Sequence, residues 1–154
     1  MRQKRLFLDL FAGAGGLSEG FVLAGFEPVA HVESDKAACF TLRTRMAYHW
    51  LKDHERTEIY AAYLNGDTTR PEFYEHVPKQ IISSVINTEI DDPTLSDIFR
   101  RVDVLLGGRT LDLIVGGPPC QAYSIVGRSR DRNGMKGDKR NYLYIYYAEF
   151  LKRY

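Results

Sequence analysis

An apolar run, Leu6 to Phe11, breaks at once into the small-residue turn Gly13-Ala14-Gly15-Gly16, and this start restricts the fold more than any other feature. A short continuous apolar run bounded by glycines reads as a buried strand followed by a tight turn. Leu17, Phe21 and Ala24 then recur at helical spacing, with Gly25 as a stop. A second strand, Pro28 to Glu33, follows directly. Ser34 or Asp35 caps the next helix, where Ala38, Leu42 and Met46 share one face. Parallel neighbours need crossover connections, and alternating strands and helices supply them. The chain therefore predicts an α/β fold with a mainly parallel sheet.

Further along, a weaker strand is predicted from Ile59 to Leu64, ending in Asn65-Gly66-Asp67. Residues 70 to 108, punctuated by Pro71, Pro78 and Pro93, are the least readable. Ile98, Val102 and Leu105 suggest a helix that stops at Gly107-Gly108. A fourth strand, Leu111 to Val115, leads into Gly116-Gly117-Pro118-Pro119-Cys120. Residues 127 to 140 read as a Gly-, Arg- and Lys-rich loop. Leu143, Tyr147, Phe150 and Tyr154 line one side of a last helix. The sequence carries no internal repeat, low-complexity segment or domain linker.

With 154 residues, 44% hydrophobic and 27% charged, the chain fits one globular domain able to bury a sizeable core. A net charge of +1 gives no global basic field to attract nucleic acid. That counts less against a fragment whose main nucleic-acid-reading part lies elsewhere. Two cysteines without a short pairing argue against a disulfide framework and against a thiolate metal cluster, so no metal is expected. A reduced, cytoplasmic setting fits best. No uncharged stretch is long enough to span a membrane.

Glycines after a strand let the backbone turn sharply and approach a ligand. Glu33 lies twenty residues after Gly13 and ends the second strand. A carboxylate there accepts hydrogen bonds from both hydroxyls of a ribose. Asp67, closing the expected third strand, would meet an adenine amino group. The pattern departs from Gly-x-Gly-x-x-Gly, because Ser18 stands three after Gly15. A glycine turn alone fits plain helix–strand packing equally well. Glycines with two acids at strand ends favour a nucleoside cofactor.

Cys120 ends a central strand, where α/β enzymes place their chemistry, and two prolines stiffen its approach. A lone cysteine is usually a buried small hydrophobe, and that reading suits Cys39. Beyond Cys120, six basic residues (Arg128, Arg130, Arg132, Lys136, Lys139 and Arg140) face only Asp131 and Asp138. Gly127, Gly134 and Gly137 give the loop freedom to move, and its cations suit phosphates.

The segment Asp9-Leu-Phe-Ala-Gly-Ala-Gly-Gly-Leu-Ser-Glu-Gly-Phe21 resembles the first motif of the DNA cytosine-5 methyltransferases. Gly116-Gly-Pro-Pro-Cys-Gln-Ala-Tyr-Ser124 resembles their Pro-Cys-Gln motif, and Arg140-Asn141-Tyr142-Leu143 a further one. The resemblance runs from Leu6 to about Leu143. It implies a Rossmann-like methyltransferase fold that binds S-adenosylmethionine. Phe11 would then lie against the adenine, and the backbone of Gly13, Ala14, Gly15, Gly16 and Leu17 would face the methionine part. Glu33 would hold the ribose, with Asp67 and Thr68 near the base and Pro119 and Leu143 at the cofactor. Gln121, Ser124, Arg128, Arg130 and Arg140 would meet the nucleic acid. Cys120 would attack carbon 6 of cytosine, making carbon 5 nucleophilic toward the methyl group.

That family continues with a Glu-Asn-Val motif, a target-recognition domain and a late cofactor motif, none of which occurs in this sequence. Residues 1–154 thus read as the N-terminal portion of a catalytic domain, with about the first four strands. The expected function is methylation of double-stranded DNA within a restriction–modification system. The chain alone would be weakly active or inactive, with a second polypeptide as one source of the missing motifs. Leu113, Ile114 and Val115 would lie on an open sheet edge, prone to pairing. Three alternatives stay open: a transfer RNA methyltransferase relative, a nicotinamide-dependent oxidoreductase, and a non-catalytic remnant that binds nucleic acid or a partner. The oxidoreductase explains Glu33 but gives Pro118-Pro119-Cys120 no role.

Overall fold

The computed structural model describes residues 4–118 and 142–154. Four strands, β1 (Leu6–Leu10), β2 (Glu27–Glu33), β3 (Val85–Asn87) and β4 (Leu113–Gly116), form one sheet in the order β3-β2-β1-β4. Every pairing is parallel. Around the sheet lie α1 (Gly16–Leu23), α2 (Lys36–Asp53), α3 (Thr57–Asn65), α4 (Arg70–Glu75), α5 (Lys79–Ser83), α6 (Asp92–Leu106) and a last helix, α7 (Leu143–Arg153).

Every residue of β1 is buried, which explains why it is apolar on both sides apart from Asp9: helices cover both sheet faces. On one face Leu6, Leu8 and Leu10 pack with Val32 and Ile86 against Ile98 and Val102 of α6 and Phe150 of α7. On the other, Cys39, Leu42 and Met46 of α2 meet Val85 and Ala12. Asp35 caps α2, its side chain accepting the Ala38 N–H at 2.7 Å. Among the described residues no helix is long and apolar enough to cross a membrane.

The third strand is not where the sequence put it. Residues 57–65 form helix α3, closed by Gly66 in the left-handed region (φ 81°). Ile59, Tyr60 and Tyr63 fall at helical spacing and pack on Ala47, Leu51 and Phe73. That lateral cluster outweighs their strand propensity. The true third strand, Val85–Asn87, is three residues long and sits in the stretch that read least clearly.

Two helix faces also differ. In α1 it is Ser18 that is buried, while Leu17 is 51% exposed. The Ser18 hydroxyl donates to the buried Asp9 carboxylate on β1, so a hydrogen bond sets the inward face. In α6 the buried positions are Ile98, Val102 and Leu106, a strict four-residue recurrence, and Leu105 is only half-buried. Gly107 ends α6 with φ 58°, as the sequence indicated.

Candidate cofactor and catalytic site

The site begins where β1 runs out. Phe11 adopts φ 56°, a left-handed conformation uncommon for an aromatic residue. The chain then folds back: the Ala12 N–H donates to Val32 O at 3.2 Å, and the Gly15 N–H to Ala12 O at 3.0 Å. Gly15 (φ 89°) is required on two counts, because a Cβ there would also lie 2.6 Å from Leu42 Cδ2. Its missing side chain lets α1 and α2 close together.

Glu33 ties this turn to the end of β2. Its Oε2 accepts the Gly13 N–H at 2.7 Å, and its Oε1 accepts the Asp35 N–H at 2.7 Å and the Ser34 hydroxyl at 3.3 Å. A carboxylate offers about four acceptor positions, so one remains open, and the long Ser34 contact is the weakest of the three.

Beneath the turn two ionisable groups lie level on neighbouring strands, Asp9 on β1 and His31 on β2. Burial pushes the Asp9 carboxyl up to about 6; the Ser18 hydroxyl opposes this and the Glu33 charge adds to it. Burial pushes His31 down to about 4. Asp9 Oδ1 and both His31 ring nitrogens have no hydrogen-bond partner among the described residues.

Above the strand ends lies a cavity of about 560 Å³. Phe11, Glu33, Thr88, Glu89, Gly117 and Leu143 each contribute to its wall, which thus draws on the ends of all four strands and the start of α7. Two further acids, Asp91 and Asp92, also line it. Asp91 caps α6, accepting the Thr94 N–H at 3.1 Å, and Asp92 accepts the Tyr146 hydroxyl at 3.0 Å. The Glu89 carboxylate makes no hydrogen bond among the described residues. β4 reaches the cavity only because Gly116 is glycine: a Cβ there would lie 2.1 Å from Leu10 O.

Of the expected cofactor residues, Phe11, Glu33 and Leu143 share this cavity, and Gly13 is joined to it through Glu33. Gly15 is buried beneath Leu42, whereas Ala14, Gly16 and Leu17 are exposed. Asp67 and Thr68 do not line it, because the segment expected as the third strand is helix α3. Asp67 follows a helix, its N–H donating to Ala62 O at 2.9 Å, and the Thr68 hydroxyl donates to Glu72 at 3.2 Å. Thr88 and Glu89, just after β3, stand at the strand end where Asp67 was expected. Two signals could have found them: the β-branched pair Val85-Ile86, and Asp91-Asp92-Pro93 as a helix start. Pro119, Cys120, Gln121, Ser124, Arg128, Arg130 and Arg140 lie outside the described residues. Cys39 is fully buried, in keeping with a packing role. Among the described residues no group of three or more His, Cys, Asp or Glu side chains is arranged to hold a metal ion.

The chain is 37% identical to the type II methyltransferase M.Bpa9945I of Bacillus paralicheniformis, over 97% of this chain and 38% of that protein. It is 32% identical to the type II methyltransferase M.AquIA of Picosynechococcus, over 97% and 43% of the two chains. With the type II methyltransferase M.XorII of Xanthomonas oryzae it shares 33% identity, over 94% and 24%. It therefore spans less than half the length of each. No solved structure matches. The family described as C-5 cytosine-specific DNA methylase matches residues 6–68 and 79–154, nearly the whole chain, and the chain belongs to that family.

Proposed function

We propose that this chain supplies the S-adenosylmethionine half-site and the nucleophile of a DNA cytosine-5 methyltransferase of a type II restriction–modification system. One observation carries the reading. Gly117, three residues before Cys120 in sequence, lines the same cavity as Phe11 and Glu33. The strand that leads to the thiol and the turn that would hold the cofactor thus open on one space.

The cavity suits an adenosine-bearing ligand. Its volume falls within the usual range for small-molecule sites. Glu33 has acceptor capacity for a ribose, with the Ser34 contact the easiest to displace. Phe11 offers an aromatic face for the adenine, Leu143 an apolar wall, and Glu89 an acceptor for the exocyclic amino group in place of Asp67. Acids round the cavity favour a ligand with a positive centre. When bound, S-adenosylmethionine supplies an electrophilic methyl group on a sulfonium.

The chemistry assigned to the chain centres on Cys120. Its thiolate adds to carbon 6 of the cytosine, and the ring electrons move toward carbon 5. Carbon 5, made nucleophilic by that addition, would accept the methyl group that S-adenosylmethionine supplies when bound, with the demethylated cofactor as the leaving group. Loss of the carbon 5 proton to a base returns electrons to the ring and expels the thiolate. The cytosine must leave the stack to expose this face. Gln121, Ser124, Arg128, Arg130 and Arg140 are assigned to the extruded nucleotide and its phosphates.

The chain carries no Glu-Asn-Val sequence and spans 38% of its Bacillus relative. In this reading the remaining motifs come from polypeptide outside the 154 residues, either joined to it or as a second subunit, and double-stranded DNA is the substrate. The test is covalent trapping on a duplex containing 5-fluorocytosine, with S-adenosylmethionine and the complementing part of the enzyme present. A denaturant-resistant adduct should form, and Cys120→Ser should abolish it. An adduct that persists in the Ser variant removes Cys120 from the mechanism.

A further inference from the structure

Outside the cavity, one cluster of charged side chains has no role in the fold that accounts for all of it. Three cations gather round the ring of Phe40 on α2. The Arg70 guanidinium stands 3.6 Å from the ring centroid, and Lys36 Nζ and the Arg43 guanidinium each stand 5.9 Å away. None of the three is in an ion pair among the described residues. The acids next to them in sequence are engaged elsewhere. Asp35 caps α2 through the Ala38 N–H, and Glu72 accepts the Thr69 N–H and hydroxyl at 2.8 and 2.7 Å to cap α4.

The parts of this cluster are not equivalent. Arg43 donates to Val85 O at 3.2 Å and so helps to close the edge strand β3. Lys36 is exposed, and the Arg70 guanidinium is held over the Phe40 ring, 3.6 Å from its centroid. A guanidinium held by an aromatic face keeps its N–H edge available, and that edge matches the oxygens of a phosphate. The Tyr74 hydroxyl, which donates to Phe40 O at 3.2 Å and lies 3.1 Å from the Thr44 hydroxyl, braces the cluster. Lys36 opens α2 just after the end of β2, so the cluster stands toward the same end of the sheet as the cavity.

We propose that Lys36 and Arg70, set round Phe40, bind the phosphodiester backbone of the nucleic-acid substrate, as a contact separate from the basic loop after Cys120. The inference rests on the nucleic-acid reading above and adds an anchor on the cofactor-binding part. Two cations make about two phosphate contacts, one each, so the effect belongs to salt dependence rather than to sequence choice.

The experiment measures binding of the 154-residue chain to a 5′-labelled duplex of about 30 base pairs across a salt series. Lys36→Ala/Arg70→Ala should lower the slope of log affinity against log salt by about 2, since each phosphate contact contributes about 0.9. Between 50 and 200 mM salt the wild type should therefore lose about ten-fold more affinity than the double variant. Lys36→Glu, at an exposed position that packing does not need, should lower the slope by about 1. Equal slopes overturn the proposal, as does an absence of duplex binding by the wild type at low salt. Displacement of the duplex by low-millimolar inorganic phosphate would also overturn it, in favour of a free-anion site. S-adenosylhomocysteine affinity, unchanged in the variants, tests the cofactor cavity separately, so either idea can fail alone.

Discussion

Asp9 and His31 should cancel each other's effect on stability, and removing either should expose the other. Asp9 sits at about 6 in the fold against 3.8 for the free group. The folded state therefore holds this proton more tightly. Its stabilising contribution is complete below pH 3.8 and is lost as pH rises through about 6. His31 sits at about 4 against 6.5, so it contributes above pH 6.5 and its contribution is lost as pH falls through about 4. Each displacement corresponds to about 3 kcal/mol, a large part of the ~5–15 kcal/mol of a typical domain. In the wild type the two slopes oppose one another across nearly the same window. In Asp9→Asn the His31 slope stands alone, and stability should fall by about 3 kcal/mol from pH 6.5 to pH 4 relative to wild type. In His31→Leu the Asp9 slope stands alone, and stability should rise by a similar amount, again relative to wild type, as pH falls from 6 to 4. Urea unfolding at half-unit pH steps gives these curves, and differences from wild type remove the other titrating groups. Curves that stay parallel for all three proteins would refute the reasoning.

Other consequences are as direct. Gly116→Ala places a Cβ 2.1 Å from Leu10 O at a positive φ, so β4 must separate from β1; a loss above about 3 kcal/mol is expected in urea unfolding, and under 1 would contradict it. Phe150→Ala empties the contact between α7, α6 and the sheet and should cost about 3–5 kcal/mol. Glu89→Ala should weaken S-adenosylhomocysteine roughly ten-fold by calorimetry, the worth of one hydrogen bond, whereas Asp67→Ala should leave it unchanged.

How much was legible follows from where the apolar pattern was complete. β1, β2 and β4 are covered on both sides or end in glycine, so runs such as Leu6 to Leu10 announced them. Glu33 was legible because its distance from Gly13 is fixed by one strand–helix–strand unit, and the 2.7 Å bond between them shows that unit closed. The third strand was not legible. Three residues are too few for periodicity, and the tyrosines of α3 carry a strand-like composition on a helix that a lateral cluster holds. That error put Asp67 at a strand end and passed over Glu89, which lines the cavity. Ser18 misled for a different reason: its buried place comes from a bond to Asp9, and hydrophobic spacing contains no record of such bonds.

In the proposed function the cavity lined by Glu33 holds an adenosine-based methyl donor. Calorimetric titration with S-adenosylhomocysteine tests it most directly, with NAD as the comparison ligand and Glu33→Ala as the variant. S-adenosylhomocysteine should bind and NAD should not, and affinity should fall roughly 100-fold once the carboxylate is removed. Equal binding by Glu33→Ala, or a preference for NAD, would contradict it.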